Sequence, residues 1–222
     1  MPRIRVKVCC ISTAQEAAMA QAAGADLLGF VGAMPSGPGI ITDQEAQSMI
    51  QTLPPGIASV TLTSAMTADA IIDQLTISQA STLQIVQHID PNEYRQIVAQ
   101  RPNIKRIQVI HVEGEDALSL IERYEPWVDA FLLDSGRPSI DPADHILELG
   151  GTGRVHDWSV SAAFVKATAK PVFLAGGLTP ENVREGIEKV RPFGVDLCSG
   201  VRTNDRLDQQ KLTAFMAAVA GQ

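Results

Sequence analysis

The chain has 222 residues, of which 45% are hydrophobic and 19% charged, a composition that excludes an intrinsically disordered protein. Its formal net charge is −7 and it has no basic run, which argues against nucleic acid and against an anionic membrane surface as partners. The N-terminal segment lacks the uninterrupted apolar core of a signal peptide, and no apolar stretch approaches the roughly 20 residues of a transmembrane helix. We therefore expect a cytoplasmic protein.

Short apolar runs alternate with amphipathic segments along the chain. The apolar runs predict eight strands, which in chain order are residues 4–9, 26–31, 58–62, 83–86, 106–110, 129–134, 171–175 and 195–199. Helical patterns follow them at residues 13–23, 43–53, 67–75, 91–100, 115–124, 158–168, 180–190 and 208–220. Eight such units predict a (β/α)8 TIM barrel, with residues 1–222 forming a single domain. A doubly wound open sheet is the alternative, although no GxGxxG turn follows the first strand.

The first predicted strand ends at a cysteine. Side chains alternate along a strand, so Val6 and Val8 share one face and Lys7 and Cys9 share the other. The apolar face suits the helices, which directs Lys7 and Cys9 to the barrel interior. A thiol at a strand end would be a proton-abstracting base if its pKa were lowered. The alternative is that Cys9 is a small buried hydrophobic residue, as most free cysteines are.

Two further features lie at the C-terminal ends of strands, where barrels carry their chemistry. Asp134 follows the apolar run of strand six, and it is either a group that meets substrate or an aspartate that caps the turn DSGRP. A glycine-rich segment precedes Asp157, the predicted N-cap of the next helix. It lacks the ending of a P-loop, and we expect its residues to wrap a ligand at the mouth as a substrate loop; they are Gly151, Thr152 and Gly153.

Gly176-Gly177 follows strand seven and Ser199-Gly200 ends strand eight, the two positions where many barrels bind phosphate through backbone N–H groups. The predicted phosphate-binding residues are Gly176, Gly177, Ser199 and Gly200. Ordinary turn glycines are the alternative reading of the same pairs.

The cysteines and histidines suggest no metal site. Cys9, Cys10 and Cys198 are an odd number without CxxC spacing, which favours a reducing compartment over a disulfide framework. The four histidines have neither HxH nor HExxH spacing, so we expect no bound metal.

Six segments have a familiar order. VKVCCIS, AGADLLGFV, FLLDS, GGTGRVHDWS, LAGGLTPENV and GVDLCSGV run from the first strand to the last helix. Together they resemble phosphoribosylanthranilate isomerase of tryptophan biosynthesis over nearly the whole chain, with a poor match at about residues 55–105. The resemblance implies an aldose–ketose isomerase that performs an Amadori rearrangement on an N-linked phosphoribosyl amine, without cofactor or metal. Its implied partner is a phosphorylated sugar substrate, and the chain is expected to be a monomer or homodimer.

The resemblance also assigns roles. Cys9 falls on the family's general base and Asp134 on its general acid. Gly176-Gly177 and Ser199-Gly200 fall on its phosphate loops. The aglycone end departs from the family pattern. Gly39 stands where the family has the arginine that meets the anthranilate carboxylate. Unless Arg137 or Arg154 at the mouth replaces it, phosphoribosylanthranilate is expected to bind weakly, and Gly39→Arg is expected to restore that contact and lower KM. Cys10 replaces a glycine, and a histidine after strand four is lost unless His88 substitutes for it.

Three functions therefore stay open at this point. The first is isomerisation of phosphoribosylanthranilate or a near relative. The second is a sister enzyme that uses the same cysteine and aspartate on a different sugar phosphate. The third is a non-catalytic barrel that binds a phosphorylated metabolite, against which the retained Cys9 and Asp134 count.

Overall fold

The computed structural model describes residues 3–35, 37–135 and 156–221. Eight parallel strands form a closed barrel in which each strand pairs with the next and the eighth pairs with the first. The strands are β1 Arg5–Val8, β2 Leu27–Val31, β3 Ala58–Thr63, β4 Thr82–Ile85, β5 Lys105–His111, β6 Ala130–Asp134, β7 Val172–Leu174 and β8 Gly194–Leu197. The predicted TIM barrel is confirmed, and the open sheet is excluded because β1 and β8 are hydrogen-bonded neighbours.

A helix follows each of the eight barrel strands before the next one begins. The helices are α1 Ala14–Ala22, α2 Asp43–Ile50, α3 Ala68–Ser78, α4 Pro91–Gln100, α5 Ser119–Tyr124, α6 Trp158–Ala167, α7 Val183–Val190 and α8 Gln209–Ala220. Side-chain caps determine where several begin: Thr42 and Glu45 form a capping box at α2, and the predicted cap Asp157 accepts from Ser159 N at α6. No helix among the described residues is long and apolar enough to span a membrane.

The eighth predicted strand is too long at its C-terminal end. Strand β8 stops at Leu197, and Ser199 begins a short 3-10 helix, Ser199–Val201. A two-stranded antiparallel ribbon follows, formed by β9 Arg202–Thr203 and β10 Arg206–Leu207, which the sequence pattern did not indicate. Strands of two residues are too short for an alternating pattern, and this ribbon is held by side-chain contacts of Arg202.

Strand alternation divides the apolar residues into an inner and an outer layer. Val6 and Val8 belong to the layer between strands and helices, as predicted. Leu62, Val109 and Cys9 belong to the cluster inside the barrel. The three named residues of the inner layer also line the cavity described below.

Candidate active site

A cavity that is partly open to solvent lies at the C-terminal ends of the strands. Cys9 from the end of β1 and Asp134 from the end of β6 both line it, together with the loops after β7 and β8. Leu62 and Val109 supply apolar wall from the strands between them. The structure therefore brings the predicted base and the predicted acid to one cavity, on different sides of the barrel.

Cys9 lies beside a buried ion pair. Lys7 is fully buried two residues before it, and its ammonium contacts both carboxylate oxygens of Asp196 at 2.9 and 3.0 Å. Gly29 on β2 leaves the room for this arrangement, because a Cβ there would lie 3.0 Å from Cys9 Sγ and 3.1 Å from Lys7 Nζ. Burial would lower the pKa of Lys7, but Asp196 and Cys9 outweigh it and raise that pKa. A persistent positive charge thus adjoins the Cys9 sulfur.

The Cys9 thiol is acidic for a cysteine. A hydrogen bond from the Cys10 side chain lowers its pKa, burial raises it, and the charge of Lys7 lowers it again, to about 6. Hydrogen bonds with Cys198 and Cys9, together with burial, raise the pKa of Cys10. At neutral pH Cys9 is therefore a thiolate while Cys10 keeps its proton.

Cys10 has an unusual backbone. Its φ is 63°, in the left-handed region that favours glycine, which explains why glycine suits this position in the family pattern. Arg202 donates to the carbonyl oxygens of both Cys9 and Cys10 and pairs with buried Glu16 at 3.0 Å. The ribbon after β8 therefore holds the peptide that presents the two thiols.

Asp134 is the last residue of β6. Its Oδ1 accepts from the Ser135 backbone N–H at 2.7 Å, a local turn contact. Its backbone carbonyl accepts from Val112 N at 2.9 Å, which fixes the strand end beside β5. The same side chain lines the cavity.

The loops after β7 and β8 approach each other closely. Gly176 and Gly177 have φ of 80° and 63°, so their N–H groups turn in a way that favours anion-binding concavities. Gly200 packs so tightly that a Cβ there would lie 2.0 Å from Leu178 O. Ser199 opens the short 3-10 helix beside them. Gly176, Gly177 and Ser199 line the cavity. Gly200 does not line it and is where the loop after β8 contacts the loop after β7.

Two sequence interpretations at the aglycone end need correction. Gly39 has a φ of 72°, and a Cβ there would lie 2.6 Å from Cys10 O, so Gly39→Arg would strain the loop instead of restoring a contact. His88 does not line the cavity; it packs beside His111 and Tyr124. Burial, with His111, lowers the pKa of His88 to about 4, so it is neutral. Gly151, Thr152 and Gly153 lie outside the described residues, and so do Arg137 and Arg154.

The structure adds site residues that sequence reasoning missed. Asp196, Cys198 and Gln84 line the cavity, and Gln84 is buried with no hydrogen-bond partner for its Oε1 among the described residues. A signal existed for Asp196, since a charged residue inside the apolar run GVDL is unusual in a buried strand.

The sequence model of the N-(5'-phosphoribosyl)anthranilate isomerase family matches residues 6–218. The chain belongs to this family. A curated relative named N-(5'-phosphoribosyl)anthranilate isomerase 2, from Methanosarcina mazei, is 36% identical over 96% of this chain and 92% of its own length. The isomerase of Methanothrix thermoacetophila is also 36% identical, over 97% of each chain.

Solved members of the family share the fold. The enzyme from Thermus thermophilus has a TM-score of 0.81 and 25% identity over 98% of this chain and 99% of its own. A family structure in complex with reduced 1-(o-carboxyphenylamino)-1-deoxyribulose 5-phosphate has a TM-score of 0.80 and 26% identity over 99% and 100%. The same values hold for monomers generated from the dimeric enzyme of Thermotoga maritima.

Proposed function

We propose that this chain isomerises N-(5'-phosphoribosyl)anthranilate to the corresponding 1-amino-1-deoxyribulose phosphate, with Cys9 as general base and Asp134 as general acid. The observation that carries the proposal is that a low-pKa thiol and a carboxyl group line one cavity in a chain of this isomerase family. A solved relative binds a reduced form of the aminoketose in the same fold, which supports a phosphorylated small-molecule substrate.

In the first step of the proposed reaction Asp134 acts as an acid. Its carboxyl group, at the end of β6, donates a proton to the furanose ring oxygen. The ring C–O bond breaks, and the nitrogen lone pair forms the C=N bond of an open-chain Schiff base. The resulting iminium withdraws electrons from C1′ and so acidifies the proton on C2′.

In the second step the Cys9 thiolate removes the C2′ proton. The electron pair of that C–H bond forms the C1′=C2′ bond of an enolamine and neutralises the iminium nitrogen. Lys7 beside Cys9 stabilises the thiolate before the transfer, and the enolamine then tautomerises to the ketose. Each positioned acid or base contributes typically about 10²–10⁴-fold to such a reaction.

The phosphate is the anchor of the substrate in this proposal. Backbone N–H groups of Gly176, Gly177 and Ser199 bind it, and Gly200 allows the two loops to meet. Anchoring one end fixes the ribose between Cys9 and Asp134, as proximity catalysis requires.

One observation favours a second candidate, a related phosphoribosyl amine without the anthranilate carboxylate. Among the described residues that line the cavity, none has a positively charged side chain, and Gly39 has no side chain to offer one. Arginine would hold such a carboxylate through two parallel charge-assisted hydrogen bonds.

The decisive experiment is a fluorescence assay of the reduced protein with phosphoribosylanthranilate, together with Cys9→Ala and Asp134→Asn. We expect turnover by the wild type and a loss of at least about 10²-fold in each variant, with unchanged circular dichroism. Rescue of a tryptophan-requiring bacterial strain gives the same answer in cells. Phosphate binding without turnover by the wild type would favour the non-catalytic barrel, and near-wild-type rates in either variant would locate the chemistry elsewhere.

The finer expectations about organisation belong to the same proposal. We infer a single domain, a cytoplasmic location and a monomer or homodimer; the dimeric Thermotoga maritima relative is a precedent for the latter. Light scattering of the purified chain distinguishes monomer from dimer.

A further inference from the structure

Three thiols meet at the wall of the cavity. Cys198 Sγ lies 2.6 Å from Cys10 Sγ, although the two residues are 188 positions apart in the chain. That separation is only about half an ångström longer than a disulfide bond of about 2.05 Å. Cys10 in turn donates its side-chain hydrogen bond to Cys9, and all three residues line the cavity.

The backbone holds this geometry in place. Cys10 keeps a left-handed φ of 63°, a conformation that costs energy for any residue with a Cβ. Arg202 fixes its carbonyl oxygen, and Cys198 follows β8, which is paired to β1. Such a backbone persists because the surrounding structure holds it, and with it the position of the Cys10 sulfur.

We propose that Cys10 and Cys198 are a redox modification site, and that a hydroperoxide converts them to a reversible disulfide that slows the enzyme. The formation of the bond follows from the position of the two sulfur atoms alone. Its effect on turnover rests on the proposed isomerase function.

The chemistry is balanced by one hydroperoxide. The sulfur of Cys198, the more exposed of the two residues, attacks the peroxide, takes one oxygen as a sulfenic acid and releases water or an alcohol. The Cys10 sulfur then attacks the sulfenic sulfur, the S–S bond forms, and the second water leaves with the Cys10 proton. Two thiols are oxidised, one peroxide is reduced, and a dithiol reductant reverses the change.

The disulfide would raise the pKa of Cys9 by removing the S–H group of Cys10. Once Cys10 is oxidised it has no S–H to donate, so the interaction that most lowers the pKa of Cys9 disappears while the effect of Lys7 stays. Less Cys9 is then thiolate at neutral pH. We expect kcat/KM at pH 7 to fall by between about 3-fold and 30-fold, the upper figure corresponding to a Cys9 pKa returned to that of an ordinary thiol.

The first test does not depend on activity. Cys9→Ser leaves only Cys10 and Cys198, so stoichiometric hydrogen peroxide should remove both free thiols without forming a dimer on a non-reducing gel. Cys9→Ser combined with Cys198→Ser is the matched control, and its single thiol should stay free of any intramolecular bond. Tandem mass spectrometry of oxidised wild type gives the same answer should Cys9→Ser fold poorly. Two free thiols, or a Cys9-containing disulfide, would overturn the site.

The second test measures the consequence. Wild type and Cys198→Ser are each compared with their own reduced rates after peroxide and again after dithiothreitol. The proposal expects a reversible loss in wild type, an upward shift of its acid limb, and little loss in Cys198→Ser. Equal losses in both proteins would assign the effect to oxidation of Cys9 and overturn the regulatory claim. A reduced wild type without any isomerase activity contradicts the proposed function instead, and the thiol count still decides the disulfide.

Discussion

Cys9 owes its acidity to side chains on either side of it in sequence. Cys10 donates a hydrogen bond to its sulfur, and Lys7 supplies a positive charge that the fold keeps away from water. Neither interaction exists in an extended strand, because Lys7 is oriented by Asp196 on β8 and Cys10 by the left-handed turn after β1.

We predict a pH dependence that reports this environment. The thiolate is the active form of Cys9. Below its pKa of about 6, kcat/KM should therefore be low, and it should rise as the pH increases through that pKa. Cys10→Gly suits the left-handed backbone but removes the S–H donor, so its acid limb should move to higher pH. A displacement of one pH unit would cost up to about tenfold in rate at acid pH.

Cys198→Ser is the matched control for this pH profile. It keeps the Cys10 donor to Cys9, so its acid limb should stay near that of the wild type. An unmoved acid limb in Cys10→Gly would assign the lowered pKa to Lys7 and the fold alone.

Some features of the site could be predicted from the sequence, and others could not. Alternation along β1 was enough to predict that Lys7 and Cys9 face inward. The partner of Lys7 could not be read from the chain, because Asp196 is 189 residues away and becomes its neighbour only through the β1–β8 register. From the sequence, Gly39 was interpreted only as a position that lacks the arginine side chain. Its positive φ and its close approach to Cys10 depend on the conformation of the loop, which no sequence pattern predicts.

At the scale of elements, the loop between β2 and α2 lines the side of the cavity that the family resemblance assigns to the aglycone. Gly37 and Pro38 line it, and Gly39 turns the chain against Cys10 O. A new side chain at Pro38, which lines the cavity, can therefore face a bound ligand without the backbone strain of Gly39.

We predict that Pro38→Arg lowers KM for phosphoribosylanthranilate with little change in kcat. A charge-assisted hydrogen bond to the carboxylate is worth about 1.5–3 kcal/mol, or roughly 10–150-fold in affinity. Pro38→Gln is the neutral control, and Gly39→Arg should instead lower Tm because of its backbone. If the wild type already has a low micromolar KM, a cation outside the described lining performs this role and the predicted gain will not be found.

The loops after β7 and β8 form a second functional element. Gly200→Ala would place a Cβ 2.0 Å from Leu178 O, so the loops must separate. We expect this variant to bind inorganic phosphate more weakly and to have a lower Tm, as isothermal titration and thermal unfolding would measure. Gly114→Ala is the control, since its φ of 178° suits any residue and its Cβ would meet nothing within 4 Å. Unchanged phosphate affinity in Gly200→Ala would move the anion site away from these loops.

Helices and strands could be predicted where the segment was long enough to show a hydrophobic periodicity. Helix α4 has the bounds expected from sequence, residues 91–100, because Asp90 caps it and Pro91 opens it. The ribbon of β9 and β10 was missed, since its strands have two residues each and depend on Arg202 and Glu16. The fifth predicted helix begins as a 3-10 turn, Glu115–Leu118, a distinction that hydrophobic periodicity does not make.

At the scale of the whole molecule, the barrel is closed by contacts between the two ends of the chain. Strands β1 and β8 pair along their length, and the buried ion pair of Glu16 with Arg202 joins α1 to the ribbon after β8. Burial opposes ionisation of Glu16, but N–H groups of Leu207 and Ser12 and the charge of Arg202 lower its pKa overall.

We predict that breaking this pair destabilises the fold. Glu16→Met or Arg202→Met leaves one buried charge without a partner, at a cost of about 3–5 kcal/mol, and the double variant should recover part of that loss. Denaturant unfolding of all four proteins measures the coupling. The exposed pair of Arg184 and Glu188 is the control, for which a helix-surface value of about 0.2–0.5 kcal/mol is expected.

The Glu16–Arg202 pair should make the folded state less stable as the pH falls. Because the folded state lowers the pKa of Glu16, its contribution is present above the ordinary value of 4.5 and is lost as pH falls through the folded pKa. Acid unfolding of Glu16→Gln should therefore be less steep than that of the wild type. Parallel acid profiles for the two proteins would contradict this account.

The closure of the barrel at its first and last strands has a consequence for the newborn chain. Synthesis proceeds from the N-terminus, so Cys9 exists long before Asp196 orients its neighbouring lysine or Arg202 fixes its peptide. Until then its sulfur is an ordinary, weakly acidic thiol. The nascent chain therefore contains Cys9 as an unreactive thiol, and a product truncated before β8 would keep Cys9 in that unreactive form.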